Sequence, residues 1–185
     1  MAKVETLAPF IFSWEGGFVN HPNDKGGATN MGVTIATYKA YRNLKGLDEP
    51  TVDDLKNIST EEVVEILKTM YWDKAKADEI NDQSIANIIV DWVWASGVWG
   101  IKYTQRALGL TDDGVVGPLT IGAINRADPL TLFNTLWASR EAHFLKIVTN
   151  NASQQVFLKG WLNRLGGIKF GSLVCNGGKV IDFNE

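Results

Sequence analysis

The sequence predicts a mainly α fold, with a small β or loop segment after the first helix and a C-terminal β-hairpin. Three observations lead there. Apolar residues recur at helical spacing along most of the chain. Residues 16–34 break that spacing with five glycines and a proline. Near the C-terminus, Leu173-Val-Cys and Lys179-Val-Ile-Asp-Phe flank Asn176-Gly-Gly, a turn signal between two strand-like runs.

The elements follow in order. Val4, Leu7, Ile11 and Trp14 share one face of a first helix over residues 3–15, with Pro9 as its one irregularity. Gly16-Gly17 stops it and leaves Glu15 at its end. Thr34 caps a helix to Leu44, closed by Gly46. Ser59-Thr60-Glu61-Glu62 opens another as a capping box, running to Tyr71. Asp82 starts a helix with Ile85, Ile88, Ile89, Trp92 and Ser96 on one stripe, ended by Gly97. Residues 100–108 form a short helix before Gly109, and Pro118 stands at the first position of the next. Asp128-Pro129 opens the longest helix, to Val148, with Leu132, Phe133, Leu136, Trp137, Phe144 and Leu145 on its inner side. The last helix spans Ser153 to Leu165. Gly97–Gly100 is the one sub-domain joint, which divides the chain into 1–97 and 98–185.

Composition excludes several function classes. The chain has 185 residues, 45% hydrophobic and 21% charged, which is globular and not disordered. A chain of this size buries about 70% of its unfolded surface and needs no staple. One cysteine, Cys175, rules out an internal disulfide framework, and two histidines, His21 and His143, leave little for a metal site. No cofactor is expected. The net charge of −3 argues against nucleic acid as a partner. No run approaches the ~20 apolar residues of a spanning helix. The N-terminus lacks the pattern of a signal peptide, so the expected protein is cytoplasmic at synthesis.

Chemistry concentrates in Trp14-Glu15-Gly16-Gly17, Asp24, Gly26-Gly27-Ala28-Thr29 and Gly32-Val33-Thr34. A carboxylate at a helix C-terminus faces the negative end of the macrodipole, and Trp14 and Phe18 are placed to shield it from water. Both effects favour the protonated acid. Asp24, in a polar loop, stays ionised. Two carboxyl groups in unlike surroundings are the acid and base of a glycosidase. Tyr71, Trp72, Trp94 and Trp99 offer aromatic planes for sugar faces. Asp91 is a candidate partner behind the site, and Trp92 lies on the core stripe. Arg140 and Arg164 either meet an anionic group of the substrate or tie helices together. Asp112, Asp113 and Asp128 read as turn and cap residues, and His143 and Cys175 as structural.

The same residues resemble a known family. Glu15-Gly-Gly-Phe-Val-Asn, Pro22, Asp24, Gly26-Gly27, Thr29 and Gly32-Val33-Thr34 are similar to the N-terminal signature of glycoside hydrolase family 108, bacterial and prophage lysozymes also known as secretion activators. Tyr71-Trp72-Asp73 and Asp91 through Ser96-Gly97 continue the likeness. Gln105-Arg-Ala-Leu-Gly, Asp113-Gly114, Gly117-Pro118, Thr120 and Gly160-Trp-Leu-Asn-Arg resemble the peptidoglycan domain that follows in this family. Coverage is residues 5–167, in order.

The resemblance implies a lysozyme-like fold and hydrolysis of the β-1,4 bond between N-acetylmuramic acid and N-acetylglucosamine. Glu15 takes the catalytic acid position, and Asp24 either activates water or stabilises the oxocarbenium ion. Phage-type lysozymes place a Thr six positions after that Asp. Here Thr29 is one short and Asn30 stands at the spacing, so Thr29, Asn30 and Thr34 all remain candidates for the third position. Asn30, Thr34, Tyr71, Trp72, Asp91 and Trp94 form the expected substrate-binding set. His21 replaces a common Asp, and Ala95 a common Asn. The expected partners are bacterial peptidoglycan and a holin-type pore for release to the wall, the protein itself being a monomer. A lytic transglycosylase and an inactive peptidoglycan-binding accessory protein are the rival readings.

Overall fold

In a computed structural model, described for residues 1–20 and 27–183, helix α1 spans Val4–Trp14 and Glu15 leaves it in extended conformation. Leu7, Phe10 and Ile11 are fully buried. Pro9 is tolerated because it lies on the exposed side, as does Glu5, whose carbonyl loses its helical donor.

Residues 16–20 then run beside strand β1 (Thr29–Asn30). Val19 and Thr29 exchange both backbone hydrogen bonds at 2.8 Å, and the Met31 amide donates to the Gly16 carbonyl at 3.2 Å. β1 pairs antiparallel with β2 (Val33–Thr34), Thr29 opposite Thr34 and Asn30 opposite Val33. Between them Met31 and Gly32 have φ of 49° and 78°. Two successive left-handed residues make a type I′ turn, whose twist matches the strands it joins.

The helical caps follow the sequence closely. Thr34 accepts from the Thr37 amide to cap α2 (Ile35–Leu44). Ser59 accepts from the Glu62 amide at the start of α4 (Thr60–Leu67). An unforeseen helix, α3 (Val52–Lys56), carries the reciprocal capping box of Thr51 and Asp54. After α4 the expected helix to Tyr71 widens into a π-helical turn, Lys68–Trp72. Each residue there advances by a smaller angle, so Tyr71 and Trp72 leave the α-helical stripe.

Helix α5 (Gln83–Ser96), capped by Asp82, is buried continuously from Ser84 to Val93. A helix buried all round is a central one. Helices α6 (Trp99–Ala107), α7 (Pro118–Arg126), α8 (Pro129–Asn150) and α9 (Gln155–Gly166) follow, with α6 and α8 packed on α5. Leu145, expected on the inner face of α8, is 48% exposed, whereas Arg140 is 1% exposed. The inner stripe turns with the helix, and ion pairing admits the arginine.

The C-terminal hairpin is present as β4 (Ser172–Val174) and β5 (Val180–Asp182), with β3 (Ile168–Lys169) added on the other edge of β4. This sheet is tied to the N-terminal half. Ser84 Oγ accepts from the Gly171 amide, and Ser13 Oγ from the Asn176 amide, both at 2.9 Å.

Among the described residues two apolar cores result. The larger joins α1, α5 and the C-terminal elements and runs unbroken across Gly97–Gly100. The smaller holds Val33, Tyr38, Tyr41, Leu55, Val63 and Ile66. Phe12, Tyr71 and Trp94 pack against both, so the candidate site lies where the cores meet.

Candidate active site

Glu15 sits at this junction, held by residues far away in the chain. Trp94 Nε1 donates to Glu15 Oε1 at 2.8 Å, and Arg164 Nη1 donates to the same oxygen at 2.7 Å. Among the described residues no hydrogen bond reaches Oε2. That oxygen faces Gly32, where a Cβ would lie 2.7 Å from both the carboxyl carbon and Oε2 and 2.8 Å from the Trp94 ring. Gly32 therefore serves twice, in the hairpin turn and in the close approach of that turn to the acid.

Arg164 is fixed in turn by Asp91, whose Oδ1 accepts from its Nε at 3.1 Å and its Nη2 at 2.8 Å. Asp91 is fully buried, and Arg140 Nη1 stands 2.7 Å from its Oδ2. That second contact is an ion pair without a directed hydrogen bond, since neither Nη1 nor Oδ2 has a well-aligned partner. Burial opposes the charge on Asp91, but Arg164 and Arg140 outweigh it and hold its carboxyl below the usual carboxylate range. Burial likewise opposes the charge on Arg164, yet Asp91 and then Glu15 push its guanidinium above the ordinary arginine value. One buried carboxylate thus anchors two arginines, and one of them reaches the acid.

A cavity of about 430 Å³ opens beside Glu15, walled by Gly32, Trp94, Ser96, Arg140, Trp161 and Arg164 among others. A separate groove of about 340 Å³, lined by Met70, Tyr71, Val93, Val98 and Ile101, lies on the Tyr71 side. The Tyr71 and Trp94 rings touch, their centroids 4.7 Å apart. Burial pushes the Tyr71 phenol up; a hydrogen bond with Thr37 works against this, and Glu15 adds to it.

Residues 8–97 match the family model described as Glycosyl hydrolase 108, and residues 99–166 match one described as Predicted Peptidoglycan domain. The solved structure of Brucella abortus SagA is 30% identical, covering 89% of this chain and 90% of that one, with a TM-score of 0.74. The chain belongs to glycosyl hydrolase family 108. No curated protein matches it. Family 108 membership and the adjoining peptidoglycan domain support a glycosidase of the lysozyme-like class acting on peptidoglycan. Arg140, Trp161 and Arg164 fall within the peptidoglycan domain, so that domain helps to build the wall around Glu15 of the family 108 region. Among the described residues, no helix is long and apolar enough to cross a membrane.

The structure sorts the other expected site residues. Asp24 lies outside the described residues, as do His21, Pro22 and Gly26. Thr29 is half-buried in β1. Asn30 is spent on structure, its amide donating to the Leu55 and Lys56 carbonyls at 3.0 Å, which joins the hairpin to α3. Thr34 is engaged as the α2 cap and donates to Thr37 Oγ1 at 3.1 Å. Trp72 requires correction. It is fully buried, and its Nε1 donates to Asp78 Oδ1 at 2.7 Å, so it has no face open to a sugar. Asp91 holds arginines and is not exposed to substrate. Trp92 is core, as expected. Trp99 is 43% exposed, packs on Tyr103, and does not line the cavity beside Glu15. Asp128 caps α8, and Asp113 Oδ1 accepts from the Val115 amide in its turn.

Neither the contact of Gly32 with Glu15 nor the link of Arg164 to Glu15 is legible in the sequence. The usable signal was Gly160-Trp-Leu-Asn-Arg, one of the motifs that carry the resemblance. Nothing local says that this helix ends at Glu15.

Proposed function

We propose that the protein is an N-acetylmuramidase in which Glu15 protonates the glycosidic oxygen of the β-1,4 bond from N-acetylmuramic acid to N-acetylglucosamine. The observation that carries this is the asymmetric Glu15 carboxyl. Oε1 accepts from an indole and a guanidinium, which leaves Oε2, on the Gly32 side, to carry and deliver the acidic proton. When the proton leaves, the new carboxylate charge forms against Arg164, which Asp91 already holds in place. A preorganised cation at the point where charge develops lowers the barrier without reorganisation.

Asp24, at the family's spacing from Glu15, is assigned to activating the attacking water or stabilising the oxocarbenium ion. Residues 1–97 form the catalytic unit, and 98–185 the peptidoglycan-binding region packed on it. The protein works as a monomer and reaches the wall through a holin-type pore.

The test is digestion of purified peptidoglycan by wild type and Glu15→Gln, with products reduced by borohydride and read by mass. Reducible muramic acid ends from wild type, lowered by at least about 10²-fold in the variant, are the expected result. Anhydro-muramic ends would make the protein a lytic transglycosylase. Wall binding without product from either protein would make it an accessory binding protein.

A further inference from the structure

Charge is divided along the chain. All but two of the 21 acidic residues, Asp182 and Glu185, lie before residue 142. From 142 to 181 there is no Asp or Glu, but there are Lys146, Lys159, Arg164, Lys169 and Lys179. Arg164 is spent on Glu15 and Asp91. The four lysines are exposed, and none of them enters an ion pair among the described residues.

Three of these lysines share a face with exposed apolar side chains. Each α9 residue advances by about 100°, which puts Val156, Lys159, Gly160 and Asn163 on one side, opposite the buried Leu165. Val156 is 77% exposed, and Phe157, at 52%, stacks on Trp161 at the border of that side. The sheet continues the face. Lys169 pairs with Ser172, and Val174 with Val180. Residues paired across a ladder, or two apart along a strand, point the same way. Lys169, Ser172, Val174 and Val180 therefore face outward, while Ile168 and Leu173 turn into the core. Asn163 and Lys169 line one shallow depression with Val174 and the Gly177-Gly178 turn, which joins helix to sheet, and Lys179 follows that turn. Asp182, opposite Ser172, is the one acid on this face among the described residues.

Lysines alone would suit any polyanion. Apolar side chains left in water between them call for a partner that is anionic at its surface and apolar beneath. We propose that α9 and the C-terminal sheet form a docking face for an anionic phospholipid bilayer. Val156, Phe157 and Val180 enter the headgroup boundary, and Lys159, Lys169 and Lys179 lie along the lipid phosphates with their stems on the apolar layer. The contact is peripheral, since no helix among the described residues is long and apolar enough to cross a membrane. The docking face goes beyond the muramidase reading and does not depend on it.

The experiment is co-sedimentation of the full chain with vesicles of phosphatidylglycerol and phosphatidylcholine in equal parts, against vesicles of phosphatidylcholine alone. Wild type should bind the anionic vesicles at least about tenfold more tightly, and added salt should weaken that binding. Lys159→Gln should lose about fivefold, and the combined Lys159→Gln, Lys169→Gln and Lys179→Gln variant roughly 10²-fold. Val156→Ser with Phe157→Ser should weaken binding at least about fivefold while keeping its salt dependence. Lys45→Gln, at the end of α2 and paired with Glu65, should bind as wild type does. Thermal melts confirm that each variant folds, and the single Lys159→Gln change decides the matter if the combined one does not. Equal binding to both vesicles, or wild-type binding by Lys159→Gln, would overturn the docking face. So would tight binding of soluble polyphosphate with no effect of the Val156 and Phe157 changes on vesicles, which would make the face a polyanion site instead.

Discussion

Glu15 owes its setting to Trp94, Arg164 and Gly32, and Asp91 organises the one of these contacts that carries a charge, Arg164. Asp91 fixes Arg164 directly and balances Arg140, so removing its charge strands a buried cation. Asp91→Asn should cost about 3–5 kcal/mol in urea unfolding and lower activity through the loosened Arg164. The pH dependence has a definite sign. The folded Asp91 carboxyl is held below the roughly 3.9 of an unfolded chain. Its contribution is therefore complete above that value and is lost as pH falls through the lower folded value. Wild type should show this acid loss of stability, and Asp91→Asn should show a flatter curve. Arg164→Lys keeps a positive charge but cannot span two carboxylates with a planar fork. It should keep the fold and lower kcat by roughly tenfold, about 1.4 kcal/mol of transition-state stabilisation. His143 gives a second acid-sensitive group. Burial, and then Arg140 and Lys146, hold its imidazole below the usual value. Such a group favours folding above an unfolded value near 6.5 and loses that contribution as pH falls. His143→Gln should remove the part of the stability loss that begins below about pH 6.5, as read by urea midpoints across pH.

Among the elements, the β1–β2 hairpin and the π-helical turn shape the cleft. The hairpin needs left-handed backbone at Gly32 and also needs the absence of a side chain there. Gly32→Ala meets both demands at once. It should cost about 1–2 kcal/mol from backbone conformation and push Glu15 or Trp94 aside. A displacement of about 1 Å in the acid is enough for roughly 10²-fold in rate, so kcat should fall further than the melting temperature suggests. The hairpin's two strands contain only four residues, too few for alternation to announce them. Turn composition was the usable signal, and it located the segment. The π-helical turn is different. Val63, Ile66, Leu67 and Met70 fit an unbroken α-helix, and the sequence reading extended it to Tyr71. Widening the turn after Leu67 sends Trp72 inward to Asp78 and Tyr71 onto Trp94. A change of pitch over five residues leaves no periodic trace, which is why the sequence alone offers Trp72 as a sugar platform.

Across the whole molecule, α5 decides what can fold alone. Its continuous burial from Ser84 to Val93 depends on α1, α6, α8 and the C-terminal sheet. The chain expressed as residues 1–97 lacks α6 and α8 against that surface, and it also lacks both arginine partners of Asp91. It should fail to unfold cooperatively by circular dichroism and should elute as an aggregate. The full chain should melt in a single transition, because one core spans both halves. Two independent transitions would instead show the peptidoglycan region to be an attached module.

The helices other than α3, their caps, the C-terminal hairpin and the helix-end position of Glu15 are legible in the amino-acid sequence. Each rests on interactions among residues only a few positions apart, and the motifs carried the family as well. Three decisive contacts were not legible: Arg164 with Glu15 across 149 positions, Trp94 with Glu15 across 79, and Arg164 with Asp91 across 73. They depend on how α1, α5 and α9 cross, which side-chain packing determines over the whole core. Local periodicity says which face of a helix is buried, but only the tertiary arrangement says which charged group it meets there.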